Sequence, residues 1–411
     1  MQYRLFSFFI FAFPCFAIIA ALLIFGYTET FEIFGFPLGQ YLFNDSRAIT
    51  AGSESFHLGF DPLIENPAMP SGNVMNYPRI WHMLFYFNIN QSHTVIFAFI
   101  CIALYIFSST LIYSKLKNLI SKVMFMMLVF SPSALLGIER GNIDLIIIFI
   151  VVIGALLVKR ASIFITLISL AYFLKLYPVF SFICILAKDN IKKHFTKLIC
   201  VSAIISTYLL ISYNDFVLIW NATPKSGELS YGKDVIISAI NTSQLFKNSN
   251  FSGYSLLISN FLKIAFLLIS LFSIYLGIKE TKFFQTNKTP LEMNSLFMAG
   301  AAIYCGTFIL GNNWDYRLIF LNLTFPFLYQ SALMSENLKE KLTYQIGILA
   351  TFLSSWDMFL AQYFSGISTL KIIFYLFDQL VNWLLFAILL FLICKFVSTS
   401  FKSPNLAKVA K

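Results

Sequence analysis

The chain has 411 residues, of which 58% are hydrophobic, 18% are aromatic and only 12% are charged. A soluble domain carries about 25% charged residues, and one soluble core could not bury so much apolar surface. The net charge of +10 matches the excess of Lys and Arg expected in cytoplasmic loops, which we prefer to nucleic-acid binding. The composition therefore predicts an all-α polytopic membrane protein, surrounded by membrane lipids, with no nucleic-acid partner.

Apolar runs recur along the sequence at lengths that approach that of a membrane-spanning helix, about 20 residues. They predict about 12 spans, within a range of about 10 to 13, in a single membrane-embedded domain that covers residues 1–411. No small-x-small cleavage site precedes the first polar stretch, so the first run is interpreted as an uncleaved span. The predicted spans are 5–26, 93–113, 123–138, 145–158, 161–174, 178–187, 197–212, 254–278, 293–310, 318–334, 342–360 and 370–396.

The region 161–187 is interpreted as a hairpin of two short spans. A single span would place its flanking basic residues on opposite sides, against the positive-inside rule. The sequence KLYP at 175–178 supplies the break, because proline disfavours helix in the residue before it. The flanking basic residues are Lys159, Arg160, Lys188, Lys192, Lys193 and Lys197.

Two polar stretches, 27–92 and 213–253, are predicted to be the large exoplasmic loops. In the first stretch, Asp45 precedes a segment that can form a short amphipathic helix, with Asp45 as its N-cap. The rest is rich in Pro, Gly and Asn and predicts irregular structure along the membrane surface. Its expected anchors in the interfacial aromatic belt are Tyr77, Trp81 and Tyr86.

Charged residues also interrupt apolar sequence at three later turns. Glu139, Arg140 and Asp144 lie between the third and fourth predicted spans, where Asn142 and Asp144 can cap the next helix and favour an anion at its N-terminus. The predicted topology places the next two turns on the same side as Asp45. They carry Lys175 with Tyr177, and Asp315 with Tyr316 and Arg317.

This pattern combines one carboxylate with three basic residues, Arg140, Lys175 and Arg317. A carboxylate can take a proton from an acceptor hydroxyl, and fixed cations can stabilise a departing phosphate. Simpler interpretations remain open for each residue. Asp45 could cap a helix or pair with Arg47. The remaining alternatives pair Arg140 with Glu139, Asp144 or a lipid headgroup, and Arg317 with Asp315.

No cofactor is expected. Asp61 and Glu65 could join Asp45 in binding a divalent metal through oxygen ligands, but Asp61 precedes a proline and is interpreted as a turn residue. All six cysteines fall within apolar runs, so we expect neither a disulfide framework nor a CxxC metal site.

Three segments, SPSALLGIERGNIDLIIIFIVVIGALL, LAYFLKLYP and NNWDYRLIFLNLTFP, resemble the C-type, polyprenyl-phosphate-dependent glycosyltransferases. The resemblance is greatest to family 87, the mannosyltransferase-like DUF2029 group, and extends from the loop around Asp45 to about Pro326. It implies a GT-C-like fold with Asp45 as catalytic base. It also implies a donor site in which Arg140, Lys175 and Arg317 bind phosphate. The lining residues would be Glu139, Asn142, Tyr177, Asp315, Tyr316 and Tyr77.

One departure affects the substrate. Many members have a Gly-Gln-x-Asn turn where this chain has Arg140, Gly141 and Asn142, so the donor sugar is not carried over. The expected activity is inverting transfer of a hexose, mannose-like sugar or pentose from polyprenyl phosphate to a lipid-linked or envelope glycan acceptor. The expected location is the exoplasmic or periplasmic face of the inner (plasma) membrane. Alternative functions are a flippase or transporter, or a polymerase, of lipid-linked saccharides.

Overall fold

A computed structural model describes residues 2–36, 38–187, 195–242, 246, 253–280, 289–363 and 368–402. The fold over these residues is helical, with one small antiparallel pair of strands, which confirms the predicted all-α class. The α-helices are α1 (Gln2–Phe25), α2 (Tyr27–Glu32), α3 (Asn44–His57), α4 (Thr94–Tyr113), α5 (Leu119–Val129), α6 (Pro132–Glu139), α7 (Asp144–Leu156), α8 (Ala161–Leu174), α9 (Phe195–Ile211), α10 (Tyr213–Ala222), α11 (Val235–Thr242), α12 (Ser255–Lys279), α13 (Leu291–Leu310), α14 (Phe325–Met334), α15 (Leu338–Tyr363) and α16 (Ser368–Lys402). The strands are β1 (Ser230–Tyr231) and β2 (Asn313–Trp314), and 3₁₀ helices cover Arg79–Phe87, Gln91–His93, Tyr177–Ala187 and Asp315–Leu323.

Four segments of the described chain are long and apolar enough to cross a membrane: Gln91–Tyr113, Ser255–Lys279, Leu291–Leu310 and Leu370–Thr399. Two bent pairs, α5 with α6 at 44° and α9 with α10 at 71°, raise the number to six if each pair is one span. Several other predicted spans are helices of 10–17 residues, including α7 and α8. The structure therefore supports four to six spans, and the larger number stays a prediction.

The region 161–187 breaks where KLYP predicted. α8 ends at Leu174, and the 3₁₀ helix Tyr177–Ala187 packs back against both α8 and α13. This packing is consistent with the hairpin. Lys188, Lys192 and Lys193, which were part of the argument for it, lie outside the described residues.

The two polar stretches contain more regular structure than predicted. The first holds α2, α3 and two 3₁₀ helices, and the second holds α10, β1 and α11; residues 243–245 and 247–252 of the second lie outside the described part. The interfacial role predicted for Tyr77 and Trp81 is wrong, because both are buried while Tyr86 is exposed. Trp81 donates its ring N–H to the Leu174 carbonyl at 3.0 Å, which fixes this stretch to the end of α8.

α13 lies at the centre of the bundle, and α12 lies at its edge. Each helix contains an apolar 18-residue window. In α13, 89% of this window is buried, whereas in α12 only 11% is buried. Gly306 allows close packing on α13, since a Cβ there would lie 2.1 Å from the ring of Phe180. The end of α13 then turns into β2, which pairs with β1 in the register Ser230–Trp314 and Tyr231–Asn313. This pairing fixes the segment that carries Arg317.

Candidate functional site

Asp45 meets the turn between α6 and α7 at the first turn of α3. The predicted N-cap role of Asp45 is wrong, because Phe43 occupies that position with φ 53° and Asp45 follows in the first turn. The backbone N–H of Asp45 donates to the Arg140 carbonyl at 3.0 Å, and the N–H of Ser46 reaches the same oxygen at 3.4 Å. A carbonyl from a distant turn thus satisfies two N–H groups that a helix start leaves without intrahelical partners.

Gly141 makes this close approach possible. Its φ of +56° lies in the left-handed region that favours glycine, and a Cβ would lie 2.6 Å from Ser46 Oγ. Ser46 Oγ instead donates a hydrogen bond of 2.5 Å to the Gly141 carbonyl. The glycine of the ERGN motif therefore lets the α6–α7 turn lie against α3.

Asn142 connects Asp45 to the start of α7. Its side-chain amide donates to Asp45 Oδ2, and its Oδ1 accepts from the backbone N–H of Asp144 at 2.8 Å. Asn142 is fully buried, so both bonds hold the amide in one orientation. Ile143 occupies the N-cap position of α7, so Asn142 is not the N-cap that the sequence predicted. From one residue earlier it still accepts from the first N–H of the helix, and its amide fixes one oxygen of the Asp45 carboxylate.

Arg140 faces the other oxygen of Asp45. Its Nη1 lies 3.8 Å from Asp45 Oδ1, and both side chains are 16% exposed. The guanidinium also stacks over Trp314, with its carbon 4.5 Å from the ring centroid, and its buried Nε has no hydrogen-bond partner in the described structure. Of the ion pairs proposed for Arg140 from the sequence, the structure contains none; its carboxylate neighbour is Asp45.

A second charged cluster forms around Asp144. Lys175 Nζ donates to Asp144 Oδ1, and Arg317 Nε lies 3.4 Å from Asp144 Oδ2. That second contact is an ion pair without good hydrogen-bond geometry, since neither atom has a hydrogen-bond partner among the described residues. The guanidinium donates instead to Asn313 Oδ1. One buried carboxylate thus holds two cations that are far apart in sequence.

Asp144 is the principal residue that the sequence reasoning missed. It was interpreted as a helix cap, whereas its carboxylate has 1% exposure and pairs with Lys175 and Arg317. The available signal was its position inside strongly apolar sequence, where an ionisable residue marks a functional site by default.

Tyrosine rings surround the two cations. Lys175 Nζ lies 5.5, 5.9 and 5.8 Å from the ring centroids of Tyr77, Tyr177 and Tyr316, and Arg317 lies 5.1 Å from that of Tyr177. These distances suit cation–π attraction. Burial, with the charge of Arg317, lowers the pKa of Lys175, although Asp144 opposes the change.

A cavity of about 230 Å³ opens beside these cations. Its polar lining includes Tyr77, Lys175, Asn313 and Arg317, and its apolar side comes from α10. The three predicted phosphate-binding residues therefore do not all lie at the cavity. Lys175 and Arg317 line the cavity, whereas Arg140 lies at Asp45, outside it.

Tyr316 connects the two clusters. Its ring centroid lies 5.8 Å from Lys175 Nζ. The ring also stacks on that of Trp314, with the two centroids 6.3 Å apart and an interplanar angle of 12°. The guanidinium of Arg140 stacks in turn over Trp314. Burial raises the pKa of Tyr316; the charge of Arg317 opposes this increase, and the charge of Asp45 adds to it. Asp45 therefore belongs to the same assembly as the lysine.

Two predicted lining residues point elsewhere. Glu139 Oε1 accepts from the Tyr27 hydroxyl at 2.7 Å and from the Gly39 N–H at 3.0 Å, which ties the segment after α2 to α6. Asp315 is buried, and its N–H donates to the Leu229 carbonyl at 3.1 Å. Glu139, Asn142 and Asp315 do not line the cavity beside the cations, so their role at a donor site stays a prediction. The proposed Asp315–Arg317 pair is wrong, because the carboxylate beside Arg317 is that of Asp144.

The suggested metal-binding trio of Asp45, Asp61 and Glu65 is also not assembled. Asp61 is engaged by Arg79, with contacts of 2.7 and 3.3 Å. Within the described ranges, no three His, Cys, Asp or Glu side chains form a group that could hold a metal ion.

The chain matches no family model, no curated protein and no solved structure. Its function must therefore be argued from the geometry of Asp45 and the adjoining cationic cavity.

Proposed function

We propose that this chain is a membrane glycosyltransferase. It would move a sugar, a hexose or a pentose, from a polyprenyl-phosphate donor to a lipid-linked or envelope glycan acceptor. The observation that carries the proposal is that Asn142 links Asp45 to the start of α7, where buried Asp144 holds Lys175 and Arg317 at the lining of the cavity.

The reaction needs one base and one anion site. The acceptor oxygen attacks the anomeric carbon, its proton goes to Asp45, and the bond from that carbon to the phosphate oxygen breaks. The donor leaves as polyprenyl phosphate. Direct displacement inverts the anomeric configuration and needs no second carboxylate as nucleophile.

Asp45 suits the role of base because only one of its oxygens accepts from Asn142. Arg140 faces the other oxygen at 3.8 Å, longer than a direct hydrogen bond. This arrangement leaves Oδ1 free of a direct hydrogen bond among the described residues, so it can accept a proton from the acceptor hydroxyl. Base catalysis of this kind contributes about 10²- to 10⁴-fold.

Lys175 and Arg317 suit the role of anion site. They are mostly buried, and charge interactions strengthen where water is excluded. Arginine can also bind phosphate through two parallel hydrogen bonds. Asp144 balances the two cations in the free protein and places them side by side for the leaving phosphate.

The finer topology belongs to the same proposal: about 12 spans, with residues 27–92 and 213–253 on the exoplasmic face of the inner (plasma) membrane. In a cysteine-free background, an impermeant maleimide should label Tyr86→Cys in intact cells, because Tyr86 is exposed. Lys339→Cys, also exposed, should be labelled only after the cells are opened. The reverse pattern would overturn the sidedness.

The direct test uses purified protein in lipid, with no ion gradient, and polyprenyl-phosphate donors that carry radiolabelled hexose or pentose. We expect transfer by the parent protein and a loss of about 100-fold or more in Asp45→Asn. Asp61→Asn, in the same polar stretch, is the matched control and should transfer normally. Transfer by Asp45→Asn at the parent rate would refute the base assignment.

Transport of a lipid-linked saccharide is a second candidate. α9 and α10 meet at 71°, α10 lines the cavity, and transporter sites are often built on such broken helices. Consumption of donor without a second compartment would favour the transferase. A ladder of product lengths, instead of one added sugar, would favour a polymerase.

A further inference from the structure

A second cavity, of about 240 Å³, lies between α15 and α16. Gln362 and Lys371 line it and are exposed, so they mark its mouth. Asp357 and Asp378 line it and are buried, so they form its floor. The cavity is slightly smaller than the about 300 Å³ at which sites for drug-sized ligands begin, a volume that suits a ligand no larger than a monosaccharide.

The floor of this cavity carries carboxyl groups without a basic partner among the described residues. Asp357 is 7% exposed and lines the cavity, and its Oδ1 has no hydrogen-bond partner in the described part of the chain. Asp315 is 3% exposed, and within the same ranges its Oδ2 also has no hydrogen-bond partner. Within the described ranges, no Lys, Arg or His forms an ion pair with Asp315, Asp357 or Asp378.

This imbalance is physically costly, because a buried carboxylate needs a counter-charge or a full set of hydrogen-bond donors. Asp378 has donors, since Gln379 and Asn382 bond to its two oxygens at 2.9 and 3.0 Å. Burial and then the charges of Asp357 and Asp378 raise the pKa of Asp315 well above its ordinary value. A cation bound here would favour the ionised form of these carboxyl groups, because an opposite charge stabilises a carboxylate.

An ammonium group suits this cavity, because its three hydrogen-bond donors can reach two carboxylates at once. Phe374 and Tyr375 line the same cavity, and aromatic faces attract organic cations.

We infer that this cavity binds a small organic molecule through a protonated primary amine, with the ammonium between Asp357 and Asp378 and the rest of the molecule beside Tyr375. The inference does not depend on the proposed transferase. The two cavities have no lining residue in common, and Asp45, Lys175 and Arg317 do not line the second one.

The test measures binding to the purified full chain in detergent, by titration with glucosamine, glucose and N-acetylglucosamine. Glucosamine should bind, whereas the two probes without an amine should bind at least about tenfold more weakly, the effect of losing one charge-assisted hydrogen bond. Equal binding of the three sugars, or no binding of glucosamine at millimolar concentration, would overturn the inference.

Amino-acid substitutions test whether glucosamine binds in this cavity. Asp357→Asn and Asp378→Asn keep the side-chain shape and should each weaken glucosamine binding about tenfold or more. Lys371→Ala removes an exposed positive charge at the mouth and should tighten binding; this variant keeps the inference testable if the Asp variants do not fold. Asp234→Asn, which lines the first cavity, should bind like the parent. Unchanged binding in the folded Asp variants, or weaker binding in Lys371→Ala, would contradict the assignment.

Discussion

Asn142 donates its side-chain amide to Asp45 across 97 residues of sequence. The same amide group accepts from the first N–H of α7, so the position of the proposed base depends on the start of a distant helix. Asn142→Asp keeps the shape but places a carboxylate against Asp45. A like charge disfavours the ionised form of a neighbouring acid.

The repulsion between the two carboxylates gives the predicted result of Asn142→Asp. The pKa of Asp45 rises, less of it is in the base form at a given pH, and the acidic limb of the pH–rate profile moves to higher pH. Asn337→Asp, at an exposed position, serves as a charge control and should leave the profile in place. An unshifted profile in a folded Asn142→Asp protein would show that Asn142 does not act on the base.

Asp144→Asn should destabilise the protein strongly, because it leaves Lys175 and Arg317 buried without their counter-ion. Breaking a buried pair costs about 3–5 kcal/mol, which should appear as a lower melting temperature in detergent. Adding Lys175→Met to Asp144→Asn should recover part of the loss, since one uncompensated cation is then removed.

The control for that experiment is Glu292→Gln. Glu292 lies 3.7 and 3.8 Å from Lys115 and Lys159, with all three side chains at least one-third exposed. Exposed pairs contribute about 0–1 kcal/mol, so the melting temperature should change little. Similar losses in Asp144→Asn and Glu292→Gln would contradict the special role of the buried cluster.

Trp314→Ala should lower kcat more than it raises the KM for donor, because it removes the ring on which Arg140 stacks at 4.5 Å and Arg140 faces the proposed base Asp45. A cation–π contact contributes about 0.5–2 kcal/mol, or about 2- to 30-fold in rate if it is lost in the transition state. Trp314→Phe keeps an aromatic face, although it loses the hydrogen bond to the Pro224 carbonyl, and should retain most of the activity. Equal effects of Ala and Phe would indicate that the hydrogen bond, and not the stacking, positions the residue.

Arg79 links the first polar stretch to α10, with contacts of 2.7 Å to Asp61 and 2.9 Å to Asp215. Burial alone would raise the pKa of Asp61, but the hydrogen bonds and charge of Arg79 outweigh it and lower that pKa. A lowered carboxyl pKa stabilises the fold above the ordinary value of 3.8, and this contribution is lost as the pH falls through the lower folded value.

Arg79→Gln should therefore melt slightly below the parent at neutral pH. The difference should disappear as the pH is lowered below the ordinary range of Asp. Melting curves of the two proteins across this pH range give the measurement. A difference that grows on acidification would mean that Arg79 stabilises the fold by another contact.

Much of the site could be predicted because its residues stand out in apolar sequence. Asp45, Arg140, Lys175 and Arg317 are charged residues next to predicted spans, and the structure brings them into one assembly. The pairing of Asp144 with Lys175 and Arg317 could not be read from the sequence, because it depends on how three turns pack. The contact of Asp315 with Leu229 continues the β1–β2 pairing, which a sequence cannot predict from strands of only two residues.

The all-α class of the fold could be predicted from the sequence, but the number of membrane spans could not be predicted as reliably. Hydropathy locates apolar runs, but it does not separate a full crossing from the short helices α7 and α8. The burial of Tyr77 and Trp81 was missed for a related reason. Aromatic residues near a span suit both an interface and a core, and tertiary contacts such as that between Trp81 and Leu174 decide between them.

The most direct test of the central claim separates donor binding from turnover. Asp45→Asn and Lys175→Met are compared with the parent in binding of radiolabelled polyprenyl-phosphate sugar and in its transfer. We predict that Asp45→Asn binds donor like the parent but loses transfer, whereas Lys175→Met loses donor binding. Normal transfer by Asp45→Asn, or parent-like binding by Lys175→Met, would contradict the pairing of this base with this cationic cavity.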